Sequence, residues 1–583
     1  MKKHLFFISA ALLLSGASIH SQEVRKASIQ ADGSITSKVI EVRTGNQPVA
    51  MNNDQMENFP VGFPANPTFK NSRGVTLEDI DGDGIHEIFH AADGMLYAIK
   101  DNGDMLWSKA IDGVATYPPT VVDLNGDGNY QVIQTTAGAP LNGRIYLVDA
   151  LTGEDHTGWP LNFNNNMILS AASTADLTGN GIMDIVFSER ISSTEGHVHA
   201  VDINGNPINE NWPFVAPGTP AVTPSLGDIN NDGTMDVVFA ISSGSYYAVD
   251  SATGDPLPGF PKVFTDRGFS YQSPILVDLT GDENLEIVAA NHGDVPGFFV
   301  LDHEGNMMDG WPHNIGGWTY TPPTVADIEG DGEYELFFSD RITGNDPSEE
   351  YQVIYAYNKE GDLIEDMSVT KYGGTEGVMT IADINNDGVM DIIFPSVLTE
   401  DDHGFIHAYS LDGSGQLDGF PKRPKGFTFM NGAVLGATED NMLKLVANSH
   451  TTFTEADSTF VNVYEMNVPY DSDKILSNGY KGDNTRSGLV KADNTTATPD
   501  FDKLSITVYP NPSNGKVIVN SPIAIRRGTL QLIGLDGKLV YLDKDLNLME
   551  GKNNFDFGSI QSGVYILTLS DGVSHFVERL IIK

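Results

Sequence analysis

The sequence predicts an all-β fold: a β-propeller of about eight four-stranded blades, with seven as the alternative, followed by a small C-terminal β-sandwich. Three observations carry this. An acidic, glycine-bearing stretch recurs seven times at a spacing near 50 residues. Each copy is flanked by short apolar or alternating runs of strand type. Glycine (60) and proline (30) are frequent enough to supply a tight turn after almost every run.

The first copy, "DIDGDGIHEI", places Asp79, Asp81, Asp83 and Glu87 within nine residues. Like charges so close repel, and they stay in an ordered loop only when a hard cation takes their oxygens as ligands, calcium being the first candidate. A plain acid-and-glycine turn between strands is the other reading of a single copy. The pattern returns as "DLNGDGNYQV" from Asp123, "DLTGNGIMDI" from Asp176, "DINNDGTMDV" from Asp228, "DLTGDENLEI" from Asp278, "DIEGDGEYEL" from Asp327 and "DINNDGVMDI" from Asp383, at spacings of 44, 53, 52, 50, 49 and 56 residues. Regular periods of this length belong to propellers and solenoids.

Within each period a short apolar strand leads into the acidic loop, a second leaves it and a third alternates. A fourth usually opens on an aromatic-proline pair: Trp159-Pro160, Trp212-Pro213, Phe260-Pro261, Trp311-Pro312 and Phe420-Pro421. Four antiparallel strands per period make a propeller blade, a wedge stabilised by its neighbours. After the seventh loop, "AVLGATEDNMLKLVANSH" keeps the first two strands but has Gly436, Thr438 and Lys444 at ligand positions, and "FVNVYEM" supplies a third. Gly62-Phe63-Pro64 matches the missing fourth, so an N-terminal strand is expected to close the eighth blade and remove an open edge.

These D-x-[DN]-x-[DN]-G-x-x-[DE] loops resemble the FG-GAP/VCBS repeats, the propeller type seen in integrin alpha chains, over about residues 60 to 490. The resemblance implies several bound calcium ions in the loops joining strands one and two. The implied ligands are Asp79, Asp81, Asp83 and Glu87 in the first loop and Asp123, Asn125 and Asp127 in the second, where Gln131 replaces the last acid. The third offers Asp176, Thr178, Asn180 and Asp184, and the fourth Asp228, Asn230, Asp232 and Asp236. The fifth offers Asp278, Thr280, Asp282 and Glu286, with Glu283 where glycine normally permits the turn. The sixth offers Asp327, Glu329, Asp331 and Glu335, and the seventh Asp383, Asn385, Asp387 and Asp391. Fewer charges imply weaker binding, so the sites are expected to be unequal, tightest in the loops from Asp79 and Asp327.

The chain begins "MKKHLFFISAALLLSGASIHSQ", whose apolar run from Leu5 to Leu14 is too short to span a bilayer and reads as a secretory signal cut near Ser21. No later run is long enough to span. The absence of cysteine excludes disulfides, thiolate metal sites and thiol catalysis. A formal charge of −45 repels nucleic acid and anionic lipid. The last 80 residues contain Tyr509-Pro510-Asn511-Pro512, Gly515, Asp536-Gly537, Gly563-Val564-Tyr565 and terminal Lys583. Their pattern is that of a small alternating β-module. It resembles the C-terminal sorting domain of the type IX secretion system of Bacteroidetes, which implies export across the outer membrane to the cell surface or the medium, with the secretion machinery as a partner. The expected division is a signal peptide (1–21), an N-terminal extension (22–58), the propeller (59–490), a linker (491–503) and the sorting domain (504–583).

The expected role is recognition of an extracellular glycan or protein. A polysaccharide lyase or other carbohydrate-active propeller acting on an anionic polysaccharide is the alternative. No G-x-S-x-G occurs, and the single H-E-x-x-H string, His86 to His90, falls on the predicted strand leaving the first acidic loop, where residues four apart are about 13 Å apart and do not share an ion as they would on a helix, which leans against an enzyme without deciding it. With the acidic loops on one face, the working chemistry is expected on the other. Fourteen positions after the first loop residue stand Asp93, Ala137, Arg190, Ser242, His292, Arg341, Val397 and His450. The blade-to-blade loops add Tyr117, Tyr271, Trp318 and Tyr320. Arg190, His292, Arg341 and His450 with those aromatics suit an anionic or neutral polysaccharide. The plainer reading is that the arginines pair with neighbours such as Glu189 and Asp340.

Overall fold

A computed structural model describes residues 21–29, 35–44, 55–66, 73–137, 142–341, 350–451, 458–490, 507–521, 525–534, 538–549, 551–557, 560–570 and 575–583. The signal peptide, the linker and the Asp536-Gly537 turn lie outside them. Two compact units are present, residues 1–492 and 493–583. No helix among the described residues is long and apolar enough to cross a membrane.

Among its described residues the first unit carries eight antiparallel blades, five of four strands and three with an additional short strand, which excludes seven. In the first, Thr76–Glu78 pairs with Glu87–Ala92, then Met95–Ile99, then Met105–Ala110. The pattern repeats to the seventh blade, which begins at Thr380–Ala382. In the eighth, Ala433–Ala437, Met442–His450 and Ser458–Pro469 are completed by Val61–Pro64, with Gly62 opposite Phe460. The N-terminal strand therefore closes the ring, as the sequence predicts.

The first and second strands of the blades are buried along almost their whole length because both faces of each blade pack on neighbours, and the cores are inter-blade layers. Phe239, Ile241 and Tyr247 of the fourth blade pack in one cluster with residues of the third and fifth. Two sets of polar bonds fix each blade to the next. Hydroxyls at the start of the first strands donate across the gap: Thr76 to Pro119 O at 2.5 Å, Thr120 to Ala172 O at 2.7 Å, Ser173 to Pro224 O at 2.6 Å and Ser225 to Pro274 O at 2.6 Å. Farther out, indole N–H groups donate to the following blade, Trp107 to Ala150 O, Trp159 to Ile203 O, Trp212 to Ser251 O and Trp311 to Lys359 O, at 2.8 to 3.1 Å. The tryptophan of the aromatic-proline pair is thus a latch with an apolar body and one polar reach.

The axial channel is filled by the chain itself. After the eighth blade, "SDKILSNGYKGDNTRSGLV" enters beside the seventh acidic loop, where Asp383 N donates to Lys474 O at 2.9 Å. Ile475–Ser477 pairs with Thr380–Ala382. The tip, Tyr480, reaches Thr223 Oγ1 at 2.8 Å and Ser273 Oγ at 3.0 Å. The return arm is bonded to Thr174, Leu226 and Leu276 through the carbonyls of Thr485, Ser487 and Gly488. Buried Arg486 donates to Tyr480 O (2.7 Å), Asp483 O (2.9 Å), Thr76 Oγ1 (2.8 Å) and Pro119 O (3.4 Å). This hairpin was not foreseen.

A further antiparallel pair, Ser21–Ile29 with Ile35–Thr44, attaches to Leu398–Glu400 of the seventh blade, Val24 opposite Glu400 and Lys26 opposite Leu398. The second unit has a three-stranded sheet (Thr507–Tyr509, Lys516–Ser521, Gly551–Asp556) and a four-stranded one built on Ile525–Gly534 and Gly563–Ser570. Val517, Val519, Leu530, Leu532, Leu567 and Leu569 form its core.

Candidate functional site

In each acidic loop the first aspartate folds the turn. Asp79 Oδ1 accepts the N–H of Gly82 (2.8 Å) and Asp83 (3.1 Å), and Oδ2 accepts that of Gly84 (2.9 Å). Asp123, Asp176, Asp228, Asp278, Asp327 and Asp383 accept equivalent bonds. The last acid ties the loop to the strand: one oxygen of Glu87, Asp184, Asp236, Glu286, Glu335 and Asp391 accepts the N–H of Ile80, Leu177, Ile229, Leu279, Ile328 and Ile384.

The second oxygen of that acid is the test of whether a cation fits. Asp236 Oδ1 and Asp391 Oδ1 are buried without a hydrogen-bond partner. Burial, reinforced by the neighbouring loop aspartates, pushes Asp236 up to about 8 and Asp391, Glu87, Glu286 and Glu335 up to about 7. Oxygens of Asp79, Asp81 and Glu87 lie within 4.8 Å of one another. Clustered carboxylates around an unpartnered oxygen are what an oxygen-seeking divalent ion compensates, so these residues fit calcium.

Four positions depart from this in instructive ways. Gln131 keeps the structural bond, accepting from Leu124 N at 3.0 Å, but turns its amide N–H₂ to Asn129 O at 2.5 Å, a donor where a ligand is needed. In the eighth blade, buried Lys444 stands at the place of Glu87 and its ammonium donates to His86 O (2.7 Å) and Asp101 Oδ1 (2.6 Å) of the first blade, so this position carries a cation in place of an acid. At the seventh loop Lys474 of the axial hairpin pairs with Asp383 Oδ2 at 2.7 Å and bonds Asn386 Oδ1. Glu283 of the fifth loop holds the left-handed conformation, φ 70°, that glycine takes elsewhere, and its carboxylate accepts from Asn231 Nδ2 of the fourth loop at 3.0 Å.

On the opposite face the predicted residues divide. Tyr117, Tyr271, His292, Trp318, Tyr320 and Arg341 come together. The Arg341 guanidinium lies over Trp318 (5.4 Å) and Tyr320 (5.9 Å), and the His292 ring is 5.6 and 5.1 Å from theirs. Tyr271 is 5.7 Å from Tyr320, and Tyr117 is 6.0 Å from Tyr480 at the hairpin tip. Arg190 and His450 do not join. Arg190 is exposed beside Met167 Sδ (4.0 Å), and His450 is buried against Phe427 (5.8 Å). The expected open platform is corrected in one respect: Tyr117, Tyr320 and Arg341 are buried, and only Tyr271, His292 and Trp318 are half-exposed. Ala27 of the N-terminal pair packs against this cluster, which accounts for part of the cover.

The sequence reading missed Arg73, Glu376, Thr321 and Asn431, all on blade-to-blade loops. Arg73, 2% exposed, lies over Tyr271 (4.5 Å) and donates through Nη1 to Tyr320 O at 3.2 Å. Glu376 is 3.2 Å from Arg341 Nε, close enough to attract but not aligned to hydrogen-bond. Its burial drives its carboxyl up to about 8 against the pull of Arg341 and Arg73. Arg73 Nη2, Arg341 Nε and Nη1, both Glu376 oxygens and the Asn431 amide have no hydrogen-bond partner among the described residues. Burial holds His292 down at about 4, and its Nε2 is 2.7 Å from Ser270 Oγ. Nearby, a cavity of about 240 Å³ under Val24 is lined by Lys371, Glu400, His407 and Tyr409. Burial lowers the Lys371 ammonium there to about 7.

Residues 507–583 match the family described as a secretion system C-terminal sorting domain, and residues 176–239 match the FG-GAP-like repeat. No curated protein matches the chain. Among solved structures, quinohemoprotein alcohol dehydrogenase from Comamonas testosteroni is similar at 12% identity and TM-score 0.41, over 70% of this chain and 77% of that one. Sqt1 of Saccharomyces cerevisiae is similar at 9% and 0.43, over 72% and 100%. PorZ, a surface component of the type-IX secretion system of Porphyromonas gingivalis, is similar at 11% and 0.29, over 96% and 74%. Likenesses this loose carry no argument about activity.

Proposed function

We propose, for a chain that is an FG-GAP-repeat β-propeller carrying a type IX secretion sorting domain and so delivered across the outer membrane, that it is a calcium-stiffened recognition protein for an anionic extracellular glycan. The observation that carries this is the grouping of half-exposed Tyr271, Trp318 and His292 over the buried guanidinium groups of Arg73 and Arg341. Rings stack on sugar faces, and guanidinium charge behind them attracts carboxylate or sulfate groups. A protein ligand presenting a carboxylate to the same groups is the variant of this reading.

Calcium would be held by the first loop (Asp79, Asp81, Asp83, Glu87), the fourth (Asp228, Asn230, Asp232, Asp236), the fifth (Asp278, Thr280, Asp282, Glu286) and the sixth (Asp327, Glu329, Asp331, Glu335). The ion supplies only charge compensation. The two-carboxylate third loop is weaker, Gln131 disables the second, and Lys474 competes in the seventh. A lyase reading retains one supporting feature. His292 is neutral at physiological pH and adjoins Tyr320 and Arg341, the groups proton abstraction next to a carboxylate would use.

The test is a binding and depolymerisation screen over uronate-bearing and neutral polysaccharides, comparing the wild type with a Tyr271→Ala, His292→Ala, Trp318→Ala triple variant. Losing stacking contacts worth about 1–3 kcal/mol in all should weaken binding roughly ten-fold or more, with calcium-dependent melting intact. Undiminished binding in the triple variant would move the site off this face. Unsaturated sugar products would convert the reading to the lyase.

A further inference from the structure

We propose that the third blade carries a metal site chemically different from the acidic loops, formed by Glu189, His197 and His199 and suited to a divalent transition ion of the zinc class. Asp184–Arg190 and Gly196–Val201 are antiparallel neighbours with Glu189 opposite His197 and Phe187 opposite His199. Residues two apart on a strand share a face, so the histidines of "HVH" project together on the side that carries Glu189. Glu189 Oε2 is 2.8 Å from His199 Nε2 and 3.5 Å from His197 Nδ1. The three donor atoms lie within 4.8 Å of one another. A tetrahedral ion with bonds of about 2.0–2.1 Å separates its ligands by about 3.3–3.4 Å, and the two distances bracket that value.

The surroundings are those of a supported site. Asn166 Nδ2 donates to Glu189 Oε1 at 2.7 Å, which orients the carboxylate and leaves Oε2 for the ion. The His199 ring is clamped between Phe187, stacked at 4.8 Å, and Phe163, edge-on at 5.0 Å. His197 has its other nitrogen 3.7 Å from exposed Glu195 Oε1, within electrostatic reach but beyond a hydrogen bond. The histidine side chains are 23% and 13% exposed, so an ion can enter and a fourth position remains for water or a ligand atom.

Donor chemistry separates this site from the loops. Two imidazoles and one carboxylate favour zinc, copper or nickel, while calcium takes oxygen ligands throughout. Position separates them too: Glu189 is five residues past Asp184 on the same strand, about 16 Å along it. The site shares its end of the blade with Arg190.

The experiment uses the untagged full-length chain, stripped with chelator and returned to saturating calcium so that the loops are filled. Titration with zinc should give one equivalent of tight binding. Cobalt should give the visible absorption of a four-coordinate ion. A His197→Asn, His199→Asn double variant should lose that spectrum and at least 100-fold in zinc affinity. An Asn166→Ala variant, which touches no ligand atom, should lose about 10–100-fold. Unchanged melting of both variants in calcium establishes that they fold. Absence of the cobalt spectrum in the wild type, or zinc stoichiometry unchanged in the folded double variant, overturns the proposal.

Discussion

Replacing Gln131 by glutamate should turn a closed loop into an occupied one. Gln131 is 3% exposed, and its side chain makes two bonds, accepting from Leu124 N at 3.0 Å and donating to Asn129 O at 2.5 Å. Glutamate preserves the first. It replaces the second by a carboxylate oxygen facing Asp123 and Asp127, so without metal the variant loses a hydrogen bond and gains buried repulsion, a cost of about 1–3 kcal/mol. With calcium at about 100 times its dissociation constant, the new site should contribute about 2.7 kcal/mol. The substitution should therefore destabilise in chelator and recover about 2.7 kcal/mol of that in calcium, an added calcium response that a purely structural substitution does not produce. Metal analysis after gel filtration should find one more ion per chain, and paired thermal melts should show the larger calcium response in the variant. An unaltered ion count with the same calcium response as wild type would refute the assignment of the last loop position as a ligand.

Other outcomes follow from the same contacts. Arg486→Ala removes four bonds from a buried guanidinium and should cost about 3 kcal/mol or more, read as a lower denaturant midpoint, with lysine a poor replacement. An unchanged midpoint would detach the axial hairpin from ring stability. Glu283→Gly should stabilise by up to about 1 kcal/mol by relieving the φ of 70°, less the bond to Asn231. In chelator, stability should fall as pH rises from about 5 to 8. Asp236, Asp391, Glu87, Glu286 and Glu335 bind protons more tightly folded, at about 7 to 8, than unfolded, so the native state loses its proton advantage across that window. Melts in saturating calcium should flatten the fall, and a flat profile in chelator would contradict it. Deleting residues 504–583 should leave the protein in the periplasm with its propeller folded, and surface delivery of the truncated chain would place the sorting signal elsewhere.

The ring was legible because its signals are periodic: the acidic loop marks each first turn, the aromatic-proline pair each fourth strand, and Gly62-Phe63-Pro64 shows the same pattern out of place. The axial hairpin was not, because its residues bond a different partner at each step, Thr76, Thr174, Leu226 and Leu276 among them, and no single partner leaves a repeat. His292 and Arg341 were found by aligning the blades, and Tyr271 and Trp318 as aromatics of the blade-to-blade loops, whereas Arg73, Glu376 and Asn431 on those same loops carry no motif that marks them. Their burial was invisible because the N-terminal pair that covers the cluster is not part of the repeat. The "HVH" of the third blade could have been noticed, but its carboxylate partner depends on strand register.

The axial hairpin also decides how the molecule bears tension. Its return arm leads directly into the tail by which a sorted protein is handled, so pull on that tail reaches Val490 first, whose N–H is bonded to Leu276 O at 2.8 Å. Behind it lie the Gly488, Ser487 and Thr485 bonds to three successive blades, then the buried Arg486 and Lys481 side chains. Each of these bonds is to a different blade, so they are loaded in turn from Val490 inward and the strain is spread over several blades rather than along one edge. The channel thus works as a rivet: a surface-held copy under drag would transmit force into the ring before any blade peels, and the first strand to part would be the hairpin.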